Sequence, residues 1–337
     1  MKAIVIREPG RVSLEQVGIP EPEPGFVLVK VKAAAVCATD LEVLDGNIAA
    51  NYPLIPGHEW SGIVVKAGSE KDSHWIGKRV VGSNDVVCLS CEACRSGKWR
   101  YCKDFEEIGF KRNGAYAEYV EVPAYGLCEL PERISFIHGA LCEPLGVALG
   151  TLEKAEAKFG DTCLIMGAGS IGLCMLAAAK AMGMKKIVVC ASTEKRLKIA
   201  EKMGAFATLA TSRCDLQEEM KKLHPEGTEV VIDATGIESC IQQCLKLAAK
   251  GGTVALAGYG RGKTMSIRMD DIHINNLRVI GAGNNWNQHK KAVSLMEDGI
   301  VDIEHFATDL LPLEEYEKAL ELARKRPAGF VKAVFLP

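Results

Sequence analysis

The chain of 337 residues exceeds the length that a single hydrophobic core usually stabilises, so two domains are expected. Hydrophobic residues make up 48% of it and charged residues 25%, values typical of a globular protein that argue against disorder and fibrous structure. Lys and Arg number 41 against 43 Asp and Glu, and the net charge of −2 argues against nucleic acid or an anionic membrane as a partner.

The amino terminus and the longest uncharged run both bear on targeting. The first eight residues, MKAIVIRE, are too short and charged to form a signal peptide. The run from Thr162 to Ala179 is long enough to raise the question of a membrane span, but three glycines interrupt it. A buried strand, a turn and the start of a helix explain this run better, and we expect a cytoplasmic protein.

Residues 1–145 show the short alternating runs of β-strands. Examples are VLVKVK at 27–32 and GIVV at 62–65, and turn residues such as EPEPG at 21–25 separate these runs. The segment therefore predicts a mostly β domain.

Three places in this segment offer metal ligands. Cys37 begins the sequence CATD, His58 and Glu59 belong to GHE, and Cys142 begins CEPL. Each is weak evidence alone, because a single His or Cys is more often structural. Together they offer a thiolate, an imidazole and carboxylates, the mixture that a catalytic zinc ion with an open position uses. Asp40 could orient His58 through its other ring nitrogen.

Four further cysteines form a compact set with the pattern C-x2-C-x2-C-x7-C: Cys88, Cys91, Cys94 and Cys102. Four thiolates can surround one tetrahedral zinc ion and leave no position for substrate, so this spacing predicts a structural zinc site. The total of 13 cysteines is odd, which in a reducing compartment indicates metal ligands and buried thiols rather than disulfides. An iron–sulfur cluster is the alternative that also uses four thiolates.

Short apolar strands alternate with helical patterns from residue 146 onward, which predicts a parallel sheet covered on both faces. The predicted strands are Cys163–Met166, Ile187–Cys190, Glu229–Asp233, Thr253–Ala257 and Leu277–Gly281. The predicted helices include Ile171–Met182, Glu194–Met203 and Ser239–Ala249. After them, residues 288–297 and 313–325 are predicted to be helical and 331–336 to form a strand.

The sequence GAGSIG at 167–172 matches the pattern G-x-G-x-x-G. It follows the first strand of this segment and opens a helix, the context in which the pattern binds a dinucleotide pyrophosphate at the positive end of the helix. The candidate cofactor residues are Gly167, Gly169, Ser170, Ile171 and Gly172. The alternative is a glycine turn that packs a helix on a strand and binds nothing.

With these motifs in this order and spacing, the chain resembles the zinc-dependent medium-chain alcohol dehydrogenases over essentially its whole length. The resemblance implies an α/β fold: a doubly wound Rossmann domain at 146–284 and an irregular, mostly β, GroES-like catalytic domain built from 1–145 and 285–337. It also implies a homodimer or homotetramer with two zinc ions per chain, which oxidises an alcohol with an NAD(P) cofactor.

The resemblance also suggests which residues ligate the catalytic zinc ion. The alcohol branch of the family has a second cysteine at the last zinc position, where this chain aligns Glu143, as the polyol and threonine branches do. In those branches the glutamates matching Glu59 and Glu143 ligate zinc directly or through water. The implied set is thus Cys37, His58, Glu59 and Glu143, with Cys142 as an alternative ligand.

The mechanism implied by the family begins with zinc lowering the pKa of the substrate hydroxyl. The alkoxide then passes a hydride to the nicotinamide. Thr39 would relay the proton towards the cofactor ribose and bulk water, and Glu42 is a possible further member of that relay. A hydroxyl that only satisfies local backbone is the alternative role of Thr39.

Cofactor choice departs from the simplest pattern. An NAD site usually has Asp or Glu at the end of the second strand, where this chain has Ala191. A 2′-phosphate would meet no negative charge from that position, and Ser192, Thr193 and Arg196 could contact it. NADP(H) is therefore favoured over NAD(H), the alternative being that Arg196 is a solvated helix residue.

Two further segments bear on the substrate. The sequences at 52–62 and 108–115 are similar to cyclitol-oxidising members, including 2-deoxy-scyllo-inosamine dehydrogenases. We expect a polyol, cyclitol or related sugar as the small-molecule partner, with phosphorylated polyols and L-threonine as alternatives. A non-catalytic NAD(P)H-binding protein and, more remotely, a zinc-module nucleic-acid binder are the rival classes.

Overall fold

A computed structural model describes residues 1–283 and 288–337. Its β-strands are β1 (Lys2–Glu8), β2 (Arg11–Gln16), β3 (Phe26–Ala35), β4 (Glu59–Ala67), β5 (Arg79–Gly82), β6 (Asp85–Val86), β7 (Glu106–Glu107), β8 (Tyr119–Pro123), β9 (Leu127–Glu129), β10 (Thr162–Met166), β11 (Lys185–Ala191), β12 (Ala207–Ala210), β13 (Thr228–Asp233), β14 (Ala248–Leu256), β15 (Arg278–Gly281), β16 (Ala307–Leu311) and β17 (Lys332–Phe335).

The α-helices are α1 (Ala38–Leu44), α2 (Glu92–Arg95), α3 (Phe136–Ala140), α4 (Cys142–Lys154), α5 (Ser170–Ala181), α6 (Glu194–Lys202), α7 (Leu216–Leu223), α8 (Glu238–Leu247), α9 (Met269–Ile274), α10 (Gln288–Glu297) and α11 (Tyr316–Lys325). Short 3₁₀ helices lie at Glu70–Trp75, Trp99–Tyr101, Ala124–Gly126 and Leu313–Glu315.

The chain divides into two compact units. The first comprises Met1–Glu143, Asn285–Glu297 and Phe306–Pro337, and the second comprises Pro144–Asn284 and Asp298–His305. The domain limits proposed from the sequence, at 145/146 and 284/285, stay a prediction.

The first unit is built around the long central strand β3. In the described residues its main sheet has the order β16-β17-β3-β4-β5-β9, and β8 also pairs with β3. Val27, Val29 and Val31 alternate along β3 and are buried in the core, where Tyr116 and Phe335 meet edge to face at a centroid distance of 5.0 Å. The prediction of a mostly β domain is confirmed.

The second unit contains a parallel sheet with helices between its strands. The order of the described strands is β12-β11-β10-β13-β14-β15, which is the 3-2-1-4-5-6 order of the doubly wound Rossmann fold. The five strands predicted here are present. The central strand β10 buries Cys163, Leu164 and Ile165 completely, as expected for a strand covered on both faces.

Two features of this unit were not predicted correctly. Strand β12, with the sequence ATLA, was missed because its residues are all half-buried and give no alternation. The helix predicted at Ser239–Ala249 ends at Leu247, and the next residue, Ala248, pairs with Thr228 as the start of β14. Alanine has no strong strand preference of its own, so the tertiary pairing decides its conformation.

The long uncharged run forms β10, the glycine turn and most of α5, as predicted. No helix within residues 1–283 and 288–337 is long and apolar enough to cross a membrane.

Candidate active site and metal centres

Cys37 lies just after β3 and forms the amino-terminal cap of α1. Its backbone N–H donates to Asp40 Oδ2 at 2.9 Å, which fixes the first turn of this short helix. Its thiol lies 3.4 Å from Thr39 Oγ1. The thiol is half-buried and lies two residues after the end of β3, at the start of α1.

His58 and Glu59 stand at the start of β4, where Glu59 pairs with Ala35 of β3. The preceding Gly57 has φ +97°, and a Cβ there would lie 2.3 Å from the Tyr116 ring, so only glycine allows this approach. The result is that donor atoms of Cys37, His58 and Glu59 lie within 4.8 Å of one another. A thiolate, an imidazole and a carboxylate so placed fit a zinc ion.

A buried chain of hydrogen bonds orients His58. Its Nδ1 lies 3.1 Å from Asp40 Oδ1, the contact predicted from the sequence, and Tyr116 Oη donates to Asp40 Oδ2 at 2.5 Å. Burial disfavours charge here, but the Asp40 carboxylate and the Cys37 thiol hold the pKa of His58 well above its usual value. A metal ion on Nε2 would therefore displace a proton from the ring.

Glu143 lies in the first turn of α4 and outside the group of three donors defined above. Desolvation raises the pKa of Glu143 to about 7, against the opposing influence of His58. Its role as a fourth ligand stays a prediction. The neighbouring Cys142 is completely buried, and among the described residues it belongs to neither candidate metal group.

Lys332, at the start of β17, was missed in the sequence. Its Nζ donates to both oxygens of Glu59, at 2.6 and 2.5 Å, and both side chains are almost fully buried. A lysine inside the apolar strand sequence FVKAVF was the available signal, because an isolated buried charge needs a partner.

The two residues proposed for proton relay lie three positions apart on α1. Thr39 is half-buried beside the Cys37 thiol. Glu42 is buried, and its carboxylate accepts a hydrogen bond of 2.8 Å from Asn47 Nδ2. Their participation in a relay stays a prediction.

The four-cysteine loop brings its thiols together around α2. The donor atoms of Cys88, Cys91, Cys94 and Cys102 all lie within 4.8 Å of one another. Backbone N–H groups point at the sulfurs: Cys91 N lies 3.4 Å from Cys88 Sγ, and Cys94 N lies 3.5 Å from Cys91 Sγ. Hydrogen bonds from Ser90 lower the pKa of the Cys88 thiol to about 6, whereas desolvation raises the pKa of the Cys94 thiol to about 12, so Cys88 forms a thiolate more readily than Cys94 does. These residues fit a closed zinc site.

The glycine turn has the shape that a dinucleotide needs. A Cβ at Gly172 would lie 1.8 Å from the Gly167 carbonyl oxygen, so α5 packs closely on the turn, whereas the space at Gly169 is open. The buried Ser170 Oγ has no hydrogen-bond partner among the described residues, and a ligand phosphate would supply one. Ile171 follows in the first turn of α5. The turn fits a pyrophosphate.

Asp233 stabilises the neighbouring turn and was also missed. It ends β13, its Oδ1 accepts from the Thr235 backbone N–H and hydroxyl, and its Oδ2 accepts from Gly236 N. Thr235 in turn touches the space beside Gly167. The sequence DATG directly after a strand was the available signal, since Asp in such a position bonds its own following backbone.

Ala191 is the last residue of β11, as predicted, and Ser192 follows it. Arg196 lies half-buried in α6. Glu194, the first residue of α6, forms an ion pair with Arg213 from the segment after β12.

These features define a metal-dependent dehydrogenase of the nucleotide-linked type. The sequence matches the alcohol dehydrogenase GroES-like domain family over residues 23–132 and the zinc-binding dehydrogenase family over residues 170–298.

Relatives with assigned activities match the chain along almost all of its length. It is 34% identical to the erythritol/L-threitol dehydrogenase of Mycolicibacterium smegmatis, covering 96% of this chain and 94% of that protein. It is 33% identical to the L-threonine 3-dehydrogenase of Bacillus velezensis, covering 100% and 99%. It is 30% identical to the sorbitol dehydrogenase of Bacillus subtilis, covering 100% and 97%.

Solved structures give the same result. A zinc-binding dehydrogenase from Sinorhizobium meliloti bound to NADP superposes with a TM-score of 0.91 at 34% identity, covering 100% of this chain and 99% of that one. The Escherichia coli alcohol dehydrogenase rspB, complexed with NADH, gives 0.93 at 26%, with the same coverage. The chain belongs to the zinc-dependent medium-chain alcohol dehydrogenase family. It is an NAD(P)-dependent oxidoreductase of the alcohol and polyol dehydrogenase type.

Proposed function

We propose that this enzyme oxidises a secondary alcohol of a polyol, cyclitol or related sugar to the ketone, with NADP⁺ favoured over NAD⁺. The observation that supports it most is the convergence of the donor atoms of Cys37, His58 and Glu59 within 4.8 Å of one another. Glu143 is near enough for the charges of His58 and Glu59 to act on its pKa, which His58 lowers and Glu59 raises. A ligand set with carboxylates is the one expected of the polyol and threonine branches.

In this proposal the catalytic zinc ion is held by Cys37, His58, Glu59 and Glu143, and a second zinc ion by the four-cysteine loop. The catalytic ion, when bound, would lower the pKa of the substrate hydroxyl. Asp40 holds the His58 ring so that Nε2 remains for the metal. Thr39 Oγ1 would accept the hydroxyl proton and give up its own towards the cofactor ribose and bulk water, with Glu42 on the next turn as a further member of that relay.

The dinucleotide is held at the glycine turn by Gly167, Gly169, Ser170, Ile171 and Gly172. Backbone N–H groups at the start of α5 and the Ser170 hydroxyl bind the pyrophosphate. Ala191 leaves room for a 2′-phosphate, and Ser192, Thr193 and Arg196 contact it. The cofactor, when bound, accepts the hydride.

A non-catalytic role is less consistent with the chain, because a homologue that had lost its activity would be expected to lose part of its metal-ligand set as well. L-Threonine oxidation is the second candidate. The 33% identity to an L-threonine 3-dehydrogenase over the whole chain favours it as strongly as the polyol relatives favour the first.

A screen of cofactor reduction separates these possibilities. The zinc-loaded enzyme is incubated with NAD⁺ or NADP⁺ and with polyols, cyclitols, their phosphates or L-threonine, and absorbance at the reduced nicotinamide band is followed. The Cys37→Ser variant serves as the control. We expect turnover on a polyol or cyclitol. Turnover on L-threonine alone would establish the second candidate, and none on any alcohol would support a non-catalytic protein.

We further propose a cytoplasmic homodimer or homotetramer. The 13 cysteines all lie in the described residues with free thiols, which is consistent with a reducing compartment. Strand β15 ends its sheet in the described part of the chain with Arg278 and Val279 exposed, and such an edge is commonly covered by another subunit. Light scattering after gel filtration measures the assembly.

A further inference from the structure

The segment that follows β12 packs against the carboxyl end of β11. The Thr211 backbone N–H donates to the Ala191 carbonyl oxygen at 3.0 Å, and Ser212 Oγ donates to the Ser192 carbonyl oxygen at 3.1 Å. The following residue, Arg213, is anchored through its own N–H to the Ala210 carbonyl oxygen at 2.9 Å. A second arginine, distant in sequence from Arg196, is thus fixed beside the position where the cofactor ribose is expected.

This arginine neutralises a nearby carboxylate. Arg213 Nη1 contacts Glu194 Oε1, and the two side chains are 70% and 48% exposed. The other carboxylate of the segment, Asp215, is occupied at the start of α7, where Oδ1 accepts from Gln217 N and Glu218 N. Glu194 is thus the carboxylate that could act on a ribose near Ala191, and Arg213 engages it.

The ion pair is easily exchanged. Both side chains are largely exposed, and a pair of this kind contributes little to stability. A phosphate monoester has a larger negative charge than a carboxylate and offers three oxygens to a guanidinium. A 2′-phosphate can therefore draw Arg213 away from Glu194. An uncharged ribose diol attracts the guanidinium less than the Glu194 carboxylate does, so with NAD the ion pair stays formed.

We propose that Arg213 is a cofactor-specificity residue that binds the 2′-phosphate of an adenine dinucleotide and, without that phosphate, neutralises Glu194. This rests on the proposed function, because it requires an adenine dinucleotide at this edge of the sheet. Removal of Arg213 has two effects: the phosphate loses a cation, and Glu194 becomes a repulsive charge and a potential partner for the diol of NAD.

Calorimetric binding of 2′,5′-ADP and ADP tests the proposal without catalysis or zinc. Arg213→Ala should weaken 2′,5′-ADP binding by about ten- to a hundredfold, the range of a charged hydrogen bond, and leave ADP binding within about twofold. Glu194→Ala should not weaken 2′,5′-ADP binding, and adding it to Arg213→Ala should restore part of the loss. Arg213→Lys should retain part of the discrimination.

The matched control is Arg133→Ala. Arg133 is also exposed and pairs with Glu297 at 2.9 Å in the first unit, so its removal subtracts the same charge from outside the unit that carries the glycine turn. It should change neither affinity. Equal weakening of both ligands by Arg213→Ala, or no weakening of either, would overturn the proposal while leaving the cofactor site intact. Wild-type protein that binds neither ligand would overturn the cofactor assignment itself.

Discussion

Lys332 Nζ lies 2.6 Å from Oε1 and 2.5 Å from Oε2 of Glu59, an ion pair that joins residues 273 positions apart. Strand β3 explains the contact, because Ala35 pairs with Glu59 on one side and with Val334 on the other. The carboxylate proposed as a zinc ligand is therefore already held by a buried cation. If Glu59 coordinates a metal ion, one of its oxygens must be shared with Lys332 or released by it. Lys332 therefore influences how readily the Glu59 carboxylate reaches the metal.

Replacing this lysine should destabilise the protein strongly. Lys332→Met leaves the Glu59 carboxylate buried without its cation, and breaking a buried pair from one side costs about 3–5 kcal/mol. Urea unfolding of protein freed of the exchangeable zinc ion, so that no metal compensates Glu59, measures the loss, and Lys332→Arg, which keeps the charge, should lose much less. A loss below about 1 kcal/mol in Lys332→Met would show that another cation compensates Glu59.

The Tyr116 hydroxyl is expected to strengthen metal binding through Asp40. Tyr116→Phe keeps the ring against Gly57 but removes the hydrogen bond to Asp40 Oδ2, so Asp40 holds His58 less firmly. Partners of this kind typically change metal affinity by about 10- to 100-fold. We expect zinc affinity to fall by about tenfold, the lower end of that range, in a chelator competition assay for the exchangeable zinc ion.

The control for that experiment is Tyr316→Phe. It removes a hydroxyl of the same unit that donates to Glu317 Oε1 at 3.3 Å within α11. Zinc affinity should not change in this variant. Equal losses in both variants would indicate a general loss of stability rather than orientation of His58.

Two zinc ions per chain are expected, and they should differ in exchange. A catalytic site keeps an open position, whereas a four-thiolate site is closed and coupled to folding. Mild chelation should remove one zinc ion and all activity without changing the far-ultraviolet circular dichroism. The Cys37→Ser variant should lose the exchangeable zinc ion. The Cys94→Ser variant should lose the zinc ion of the four-cysteine loop and should also unfold more easily. Elemental analysis giving one zinc ion in fully active enzyme would contradict this assignment.

Site residues that are close together in the sequence could be predicted from it, whereas those brought together only by strand pairing could not. The four cysteines span a short loop, so their spacing alone places the sulfurs together. The motifs with Cys37, His58 and Ala191 were found because each adjoins a recognisable strand or turn. Lys332 and Tyr116 could not be assigned in this way, since their partners depend on which strands pair around β3. The same holds for Arg213, which reaches Glu194 only through the pairing of β11 with β12.

Glu143 should make stability depend on pH in protein freed of the exchangeable metal. Desolvation raises its pKa from an ordinary 4.5 to about 7, so the folded state binds a proton more tightly than the unfolded state does. Folding stability therefore falls as pH rises from about 4.5 to about 7, the reverse of an ordinary salt-bridged carboxylate.

The comparison variant is Glu143→Gln, which has no such proton to lose. Its unfolding free energy should fall less than that of the wild type across this pH range, and the difference between them should grow with pH. In the zinc-loaded enzyme, Glu143→Ala should lower turnover strongly with little loss of stability. Wild-type turnover in that variant would remove Glu143 from the ligand set.

The last prediction concerns Ala191, which stands where an NAD site has a carboxylate. Ala191 cannot accept hydrogen bonds from the ribose diol, so NAD lacks an interaction of about 1.5–3 kcal/mol. The 2′-phosphate meets no charge from that position and can bind Arg196 and the hydroxyls of Ser192 and Thr193. We expect kcat/KM to be higher with NADP⁺ than with NAD⁺. Ala191→Asp should invert this preference, because the new carboxylate both binds the diol and repels the phosphate. Steady-state kinetics with both cofactors measure the ratio. A wild-type enzyme that prefers NAD⁺, and loses that preference in Glu194→Ala, would show that Glu194 takes the place of the missing carboxylate despite its contact with Arg213.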